Sequence, residues 1–263
     1  MDRNFYNKVI AHHKMVEEKV VSRGYIVLMT VAIGSQNYGL ANDTSDCDTF
    51  SFILPSFLDF IRGDKFKSYE FEVEDGKCGV KDLRLALNLL RKPSPNSVEC
   101  FLSSYKVYNP KYEEILKEYL ENDKKTFYLI HSNYKQMIDA TIGTIHGLHG
   151  RNMSNGKKVA HAIRLASTCF DYLALDSNNI HNYLRVSDEL LIPAINYKKD
   201  PNVIEETYEK IKQISCNNIT DLYECFQKKC GEEKIKFIEQ KGALTIDNFQ
   251  LELTKAYLKE VNT

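Results

Sequence analysis

Nine consecutive residues, Tyr25 to Ile33 (YIVLMTVAI), are apolar or β-branched almost without interruption, and Gly34-Ser35 closes them. A run of this kind suits a buried central strand, so the chain has to build a sheet around it. Upstream, Phe5, Val9, Ile10, Val16, Val20 and Val21 recur near helical spacing until Gly24, which predicts an amphipathic helix over 4–22. Downstream, SQNYGLANDTS is polar and turn-rich. DCDTFSFIL (46–54) then predicts a second strand, ended by Pro55. FKSYEFEVE (66–74) and KCGVKDL (77–83) form a hairpin across Asp75-Gly76. A helix runs from Asp82 through Leu83, Leu85, Leu87, Leu89 and Leu90 to Pro93, and Pro95-Asn96 opens a short one.

Beyond residue 108 the strand signals fade. Segments 110–122, 126–149, 156–175, 202–230 and 247–261 read as helices, and Asn109-Pro110 marks the change. The expected fold is therefore α/β (α+β): a small mixed sheet backed by helices over 1–108, then an all-helical domain over 109–263 forming the other wall of a cleft. No internal repeat or low-complexity tract interrupts this layout.

The 263 residues are enough for one large or two modest cores. With 43% hydrophobic and 27% charged residues, the composition is ordinary for a globular chain. A net charge of −1 supplies no global basic field for nucleic acid. Seven cysteines, an odd number with no Cys-x-x-Cys, argue against a disulfide framework or a zinc ribbon. There is neither an N-terminal apolar h-region nor an apolar run of about 20 residues. The expected setting is a reduced cytoplasm, with no membrane partner.

The chemistry concentrates at Gly34-Ser35 and Asp46-x-Asp48. Residues i and i+2 of a strand face the same way, so the two carboxylates share one side. Their mutual repulsion at neutral pH calls for a divalent cation. An all-oxygen site favours Mg²⁺, with Mn²⁺ as substitute. Gly34 allows close backbone approach to a phosphate, and Ser35 at a helix start can hydrogen-bond it. Aspartate-held Mg²⁺ beside a phosphate cradle is what phosphoryl transfer needs. Either motif alone is commonplace, a turn or a solvated strand face. Their order, strand, Gly-Ser, polar segment, strand with Asp-x-Asp, is far more specific.

The string IGSQNYGLANDTSDCDTF (33–50) resembles the signature of the DNA polymerase β-type nucleotidyltransferase superfamily. In its fuller form, GS-x-x-YGL followed by SD-x-D, it is similar to a bacterial and bacteriophage branch of predicted nucleotidyltransferases. VKDLRLALNLLRKPSPNSVECFLSSYKVYNPKY (80–112) resembles that branch's helix, Asn-Pro turn and Glu-containing helix. GKKVAHAIRL (156–165) resembles its Lys-x-x-x-His-x-x-Arg-Leu helix, and LRVSDELL (184–191) a later short motif. The resemblance implies an enzyme that transfers a nucleoside monophosphate from an NTP such as ATP to an acceptor hydroxyl, releasing pyrophosphate. Asp46 and Asp48 would be catalytic and hold the metal. Gly34, Ser35, Asn37, Tyr38, Lys158, His161 and Arg164 would bind the nucleotide, with Lys157 on the same helix. Tyr38 can equally pack as core. The acceptor, whether tRNA or another RNA, a protein or a small molecule, stays open.

One position departs from the pattern. A third carboxylate is expected just before Val80-Lys81-Asp82, and the residue there is Gly79. Asp82, three residues on, has the opposite parity and suits a helix N-cap. Glu72 and Glu74 reach the site only if the hairpin register allows it. The alternative is therefore a degenerate nucleotidyltransferase that binds nucleotide or RNA without catalysis, and a third class is an interaction module that uses the fold as scaffold. His146 and His149, at i and i+3, lack a convincing third metal ligand. Cys47, between the aspartates, should point into the core.

Overall fold

A computed structural model describes residues 2–41, 45–64, 68–73, 76–175, 177–178 and 180–261. The Asp2 carboxylate accepts the amides of Asn4 and Phe5, and starts α1 (Arg3–Val21). There follow β1 (Ile26–Ile33), the single turn α2 (Ser35–Tyr38), β2 (Asp48–Leu54), α3 (Phe57–Arg62), β3 (Tyr69–Val73), β4 (Gly76–Asp82), α4 (Leu83–Arg91), α5 (Pro95–Leu102) and β5 (Lys106–Tyr108). The strands form one five-stranded sheet in the order β3-β4-β2-β1-β5. β2 and β4 pair in parallel, and the other neighbours are antiparallel. The rest is helical: α6 (Glu113–Leu120), α7 (Asp123–Ile130), α8 (Tyr134–Gly147), α9 (Asn155–Ala174), α10 (Asp188–Lys199), α11 (Glu205–Cys230) and α12 (Glu232–Val261). The fold is α/β, a mixed sheet followed by a helical C-terminal part, as the sequence periodicities imply.

Strand parity, shifted once in β1 by an irregularity between Val27 and Met29, divides the sheet into two faces. On one, Val27, Ile53, Cys78 and Val80 pack under Val16 and Val20 of α1. The inner side of α1 also buries His12 and His13, which hydrogen-bond Thr49 Oγ1 at 3.0 Å and Thr30 Oγ1 at 2.9 Å. Burial thus follows positions 5, 9, 12–13, 16 and 20, and Val21 falls outside that stripe at 67% exposure. On the other face, Met29, Val31, Phe52 and Leu54 join Leu83 and Leu87 of α4 in a core that continues without a break to Phe249 and Tyr257 of α12. Arg91 pairs with Asp247 and Lys111 with Glu260 across the same contact. The Tyr257 hydroxyl donates to Pro55 O at 3.0 Å. This second face carries the even-numbered side chains of β2, and it is where the two parts of the chain meet.

Several elements differ from the sequence expectation. The stretch 126–149 breaks at His131–Asn133, where Asn133 caps α8 by accepting the Gln136 amide. The last helix begins at Glu232 rather than 247, and Gly242 sits inside it. A Cβ there would lie 2.7 Å from Tyr128 O, so the glycine permits close approach to α7 rather than a break. β5, only three residues long, adds to the free edge of β1. Neither β5, α3 nor α10 has enough periodicity to announce itself. No helix among the described residues is long and apolar enough to cross a membrane.

Candidate functional site

Where β1 ends, the backbone turns at Gly34 with φ 92° and ψ −153°, a conformation that L side chains rarely adopt. One strand over, Asp48 opens β2 opposite Ile33. Cys47 is buried with Phe5, Val9 and Ala32 on the α1 side, so Asp46 and Asp48 emerge on the opposite face, toward the helical part. A cleft of about 290 Å³ lies there. The sheet supplies Gly34, Ser35, Asp46 and Asp48, and the helical part supplies Lys157, His161 and Arg164 from α9 and Lys198 from α10.

The three α9 residues stand at i, i+4 and i+7, which makes one stripe on a helix. Lys158 is not part of it. Its Nζ donates to His149 O at 3.3 Å and lies 5.3 Å from the Tyr208 ring centre, so it faces α11 and the turn that follows α8. Lys157 takes the place in the cleft expected for Lys158. Nor does either residue of the Asn37-Tyr38 pair line the cleft. Tyr38 is core, and the Arg164 guanidinium lies 3.9 Å over its ring. The Asn37 amide is committed to Ala32 O, Glu99 and Ser103. The expected helix start at Ser35 is a single four-residue turn.

Asp48 accepts the Lys77 amide at 3.0 Å. Burial raises its pKa above the usual carboxylate value. That hydrogen bond opposes the shift, whereas Asp46 and Glu70 add to it. Two oxygen-donor groups at one cleft edge, the more buried of them disfavoured in its charged form, fit a hard divalent cation. The opposite wall has the opposite bias. Lys198 donates to Leu40 O at 2.7 Å, and burial, Lys157 and Arg164 lower its pKa. His161 is pushed down to about 3 by burial and then by Arg164, Arg151, Lys198 and Lys157. The wall therefore presents three cations and one neutral imidazole.

His161 gives a pH prediction. The unfolded imidazole titrates near 6.5 and the folded one near 3. Between those values the unfolded state binds the extra proton, so stability is complete above about 6.5 and falls as pH drops, by about 1.4 kcal/mol per unit. Urea denaturation at pH 7 and pH 5 should show the wild type losing about 2 kcal/mol more than His161→Gln. Equal losses would mean that His161 is not the group responsible.

Gly79 pairs with Phe50 in the parallel ladder and with Glu70 across the hairpin, so position 79 faces the cleft side. A Cβ there would stand 2.2 Å from Phe50 Cε1, and Lys81 Nζ covers the same ring at 4.5 Å. An aromatic ring thus fills the space where a carboxylate was expected. Glu70 pairs with Lys77 at 3.1 Å. Glu72, opposite Lys77, is exposed, and Glu74 lies outside the described residues. Asp82 caps α4 through the Arg84 amide and pairs with the Arg84 guanidinium. Gly79→Asp should cost about 1–3 kcal/mol by overpacking. In thermal melts, Phe50→Ala in the same chain should recover part of that loss; simple addition of the two losses would rule out the clash.

Two residues of the site were not singled out from sequence. Lys198 left no signal. Glu99 did: it is the lone acid among Val98, Cys100, Phe101 and Leu102 on α5, all buried, and a carboxylate in such company needs a partner.

No family model matches the sequence, and no curated protein does. Among solved structures, the chain is similar to a nucleotidyltransferase-like protein from Exiguobacterium sibiricum 255-15. The identity is 11% and the TM-score 0.30, over 92% of this chain and 91% of that one. Likeness at this level says nothing about activity.

Proposed function

We propose that the chain is a nucleotidyltransferase that binds an NTP in this cleft and moves its nucleoside monophosphate to an acceptor hydroxyl, releasing pyrophosphate. The observation behind this reading is the convergence of Gly34-Ser35, Asp46, Asp48 and a cationic helix stripe on one cavity. Asp46 and Asp48 would hold Mg²⁺ or Mn²⁺. The ion would neutralise phosphate charge and polarise the phosphorus centre. Lys157, Arg164 and Lys198 neutralise the polyphosphate from the other side and orient it. Ser35 offers its hydroxyl. Gly34 contributes the absence of a side chain, since its N–H is already given to Glu99. His161, neutral among cations, can donate or accept a single hydrogen bond.

Phe50 over Gly79 favours a second reading, a chain that binds nucleotide without transferring it. Incubation with each α-labelled NTP, Mg²⁺ or Mn²⁺ and a fractionated lysate separates the two. Label in the RNA, protein or small-molecule fraction supports transfer and identifies the acceptor class. NTP binding with no label in any fraction supports the binder.

A further inference from the structure

Glu99 is only 4% exposed and does not line the cleft, yet three parts of the site lead to it. One carboxylate oxygen, Oε1, accepts the Gly34 amide and the Asn37 side-chain amide, the latter at 3.1 Å. Asn37 is fixed in turn: its Nδ2 also donates to Ala32 O at 2.9 Å, and its Oδ1 accepts from Ser103 Oγ at 2.9 Å. The other oxygen, Oε2, lies 3.9 Å from Arg164 Nη1. That separation gives charge attraction without a hydrogen bond. Arg164 is 7% exposed, its guanidinium carbon lies 3.9 Å from the centre of the Tyr38 ring, and its Nε has no hydrogen-bond partner among the described residues. Arg164 itself lines the cleft, and a guanidinium with one donor unpaired among the described residues gains from an acceptor brought to it.

We infer that Glu99 is a positioning residue that locks the Gly34 turn to Arg164, holding the guanidinium in place but unsaturated, so that it takes up a polyphosphate oxygen. The inference rests on the nucleotide reading of the cleft. The carboxylate joins β1 and α2 on one wall to α9 on the other without touching the ligand. The long contact to Nη1 matters: a tight bidentate pair would consume the donors that a phosphate requires. Glutamine at 99 could still accept the Gly34 amide, but it would turn an uncharged group, in one rotamer an NH₂ donor, toward Arg164.

Binding of inorganic tripolyphosphate in EDTA tests this by calorimetry, with Glu99→Gln, Arg164→Met and the double variant. Glu99→Gln should weaken binding about tenfold in the wild-type background. With Met at 164 it should weaken binding less than about twofold, because the residue through which Glu99 acts is gone. No loss, or the same loss in both backgrounds, overturns the proposal. The ¹⁵Nε–H resonance of Arg164, assigned by its disappearance in Arg164→Met, gives a readout independent of any ligand. It should shift and broaden in Glu99→Gln; an unchanged resonance overturns the proposal. If the wild type fails to bind tripolyphosphate while that resonance responds, the phosphate reading falls and the positioning role stands. If Glu99→Gln does not fold, Glu99→Asp, which keeps the charge and shortens the reach, serves in both measurements.

Discussion

Asp46→Asn with Asp48→Asn should leave the fold standing and reduce nucleotidyl transfer about a thousandfold or more, which corresponds to ~4 kcal/mol of transition-state stabilisation. Neither half of this expectation depends on the acceptor. Asp46 is exposed and Asp48 half-buried, and the segment between them is anchored by Cys47 rather than by the carboxylates. Burial and the neighbouring acids Asp46 and Glu70 raise the Asp48 pKa. The folded chain therefore disfavours its ionised form, and stability attributable to that group is greater below its folded pKa than above it. An uncharged asparagine removes that cost, so the melting temperature at pH 7 should hold or rise. Transfer requires the charged form. Full activity in the double variant would show that the carboxylates hold nothing the reaction needs; collapse of the fold would show that they are structural.

Gly156→Ala should be the most disruptive single methyl group in the helical part. A Cβ at this position would lie 2.1 Å from Tyr197 O and 2.8 Å from Asp200 O. Both obstacles are backbone carbonyls at the C-terminal end of α10, and neither can rotate away. To admit the methyl, α9 and α10 have to separate. That displaces Lys198 from Leu40 O and widens the cleft between Lys198 and the Lys157–His161–Arg164 stripe. The expected cost is about 1–3 kcal/mol, the range for an overpacked core, with a parallel loss of tripolyphosphate affinity. Gly143→Ala on α8 is the control. Nothing lies within 4 Å of its Cβ, and alanine is worth about 1 kcal/mol more than glycine inside a helix, so this variant should gain stability. Equal behaviour of the two variants in urea denaturation would contradict the packing argument.

What could be read in advance was whatever depends on local period. The alternation in 46–54 places Asp46 and Asp48 together with Cys47 opposite, and the structure keeps that parity. The buried strand at 26–33 and the Asp82 cap of α4 were equally local. The side of a helix that faces a cleft is not local. Lys157 and Lys158 stand at i−4 and i−3 from His161, both acceptable on one face. Only the packing of α8 and α11 against α9 turns Lys158 toward His149 and leaves Lys157 in the cleft. Glu99 reaches Gly34 across 65 positions, and Lys198 reaches Leu40 across 158. Pairings at such range leave no periodic trace. Asn37 and Tyr38 follow Ser35 by two and three residues, yet they support Glu99 and Arg164 from behind rather than touching the cavity.

The most direct measurement is calorimetric titration with α,β-methylene analogues of the four ribonucleoside triphosphates, with and without Mg²⁺. The wild type, the Asp46→Asn/Asp48→Asn variant and Arg164→Met would be compared. If the cleft is one nucleotide site with a metal edge and a cationic wall, at least one analogue saturates the wild type. Each variant then binds it about tenfold or more weakly, and the Mg²⁺ dependence vanishes in the aspartate variant alone. Affinity that is the same in all three proteins would place the nucleotide elsewhere, and failure of every analogue to bind would contradict a nucleotide site altogether.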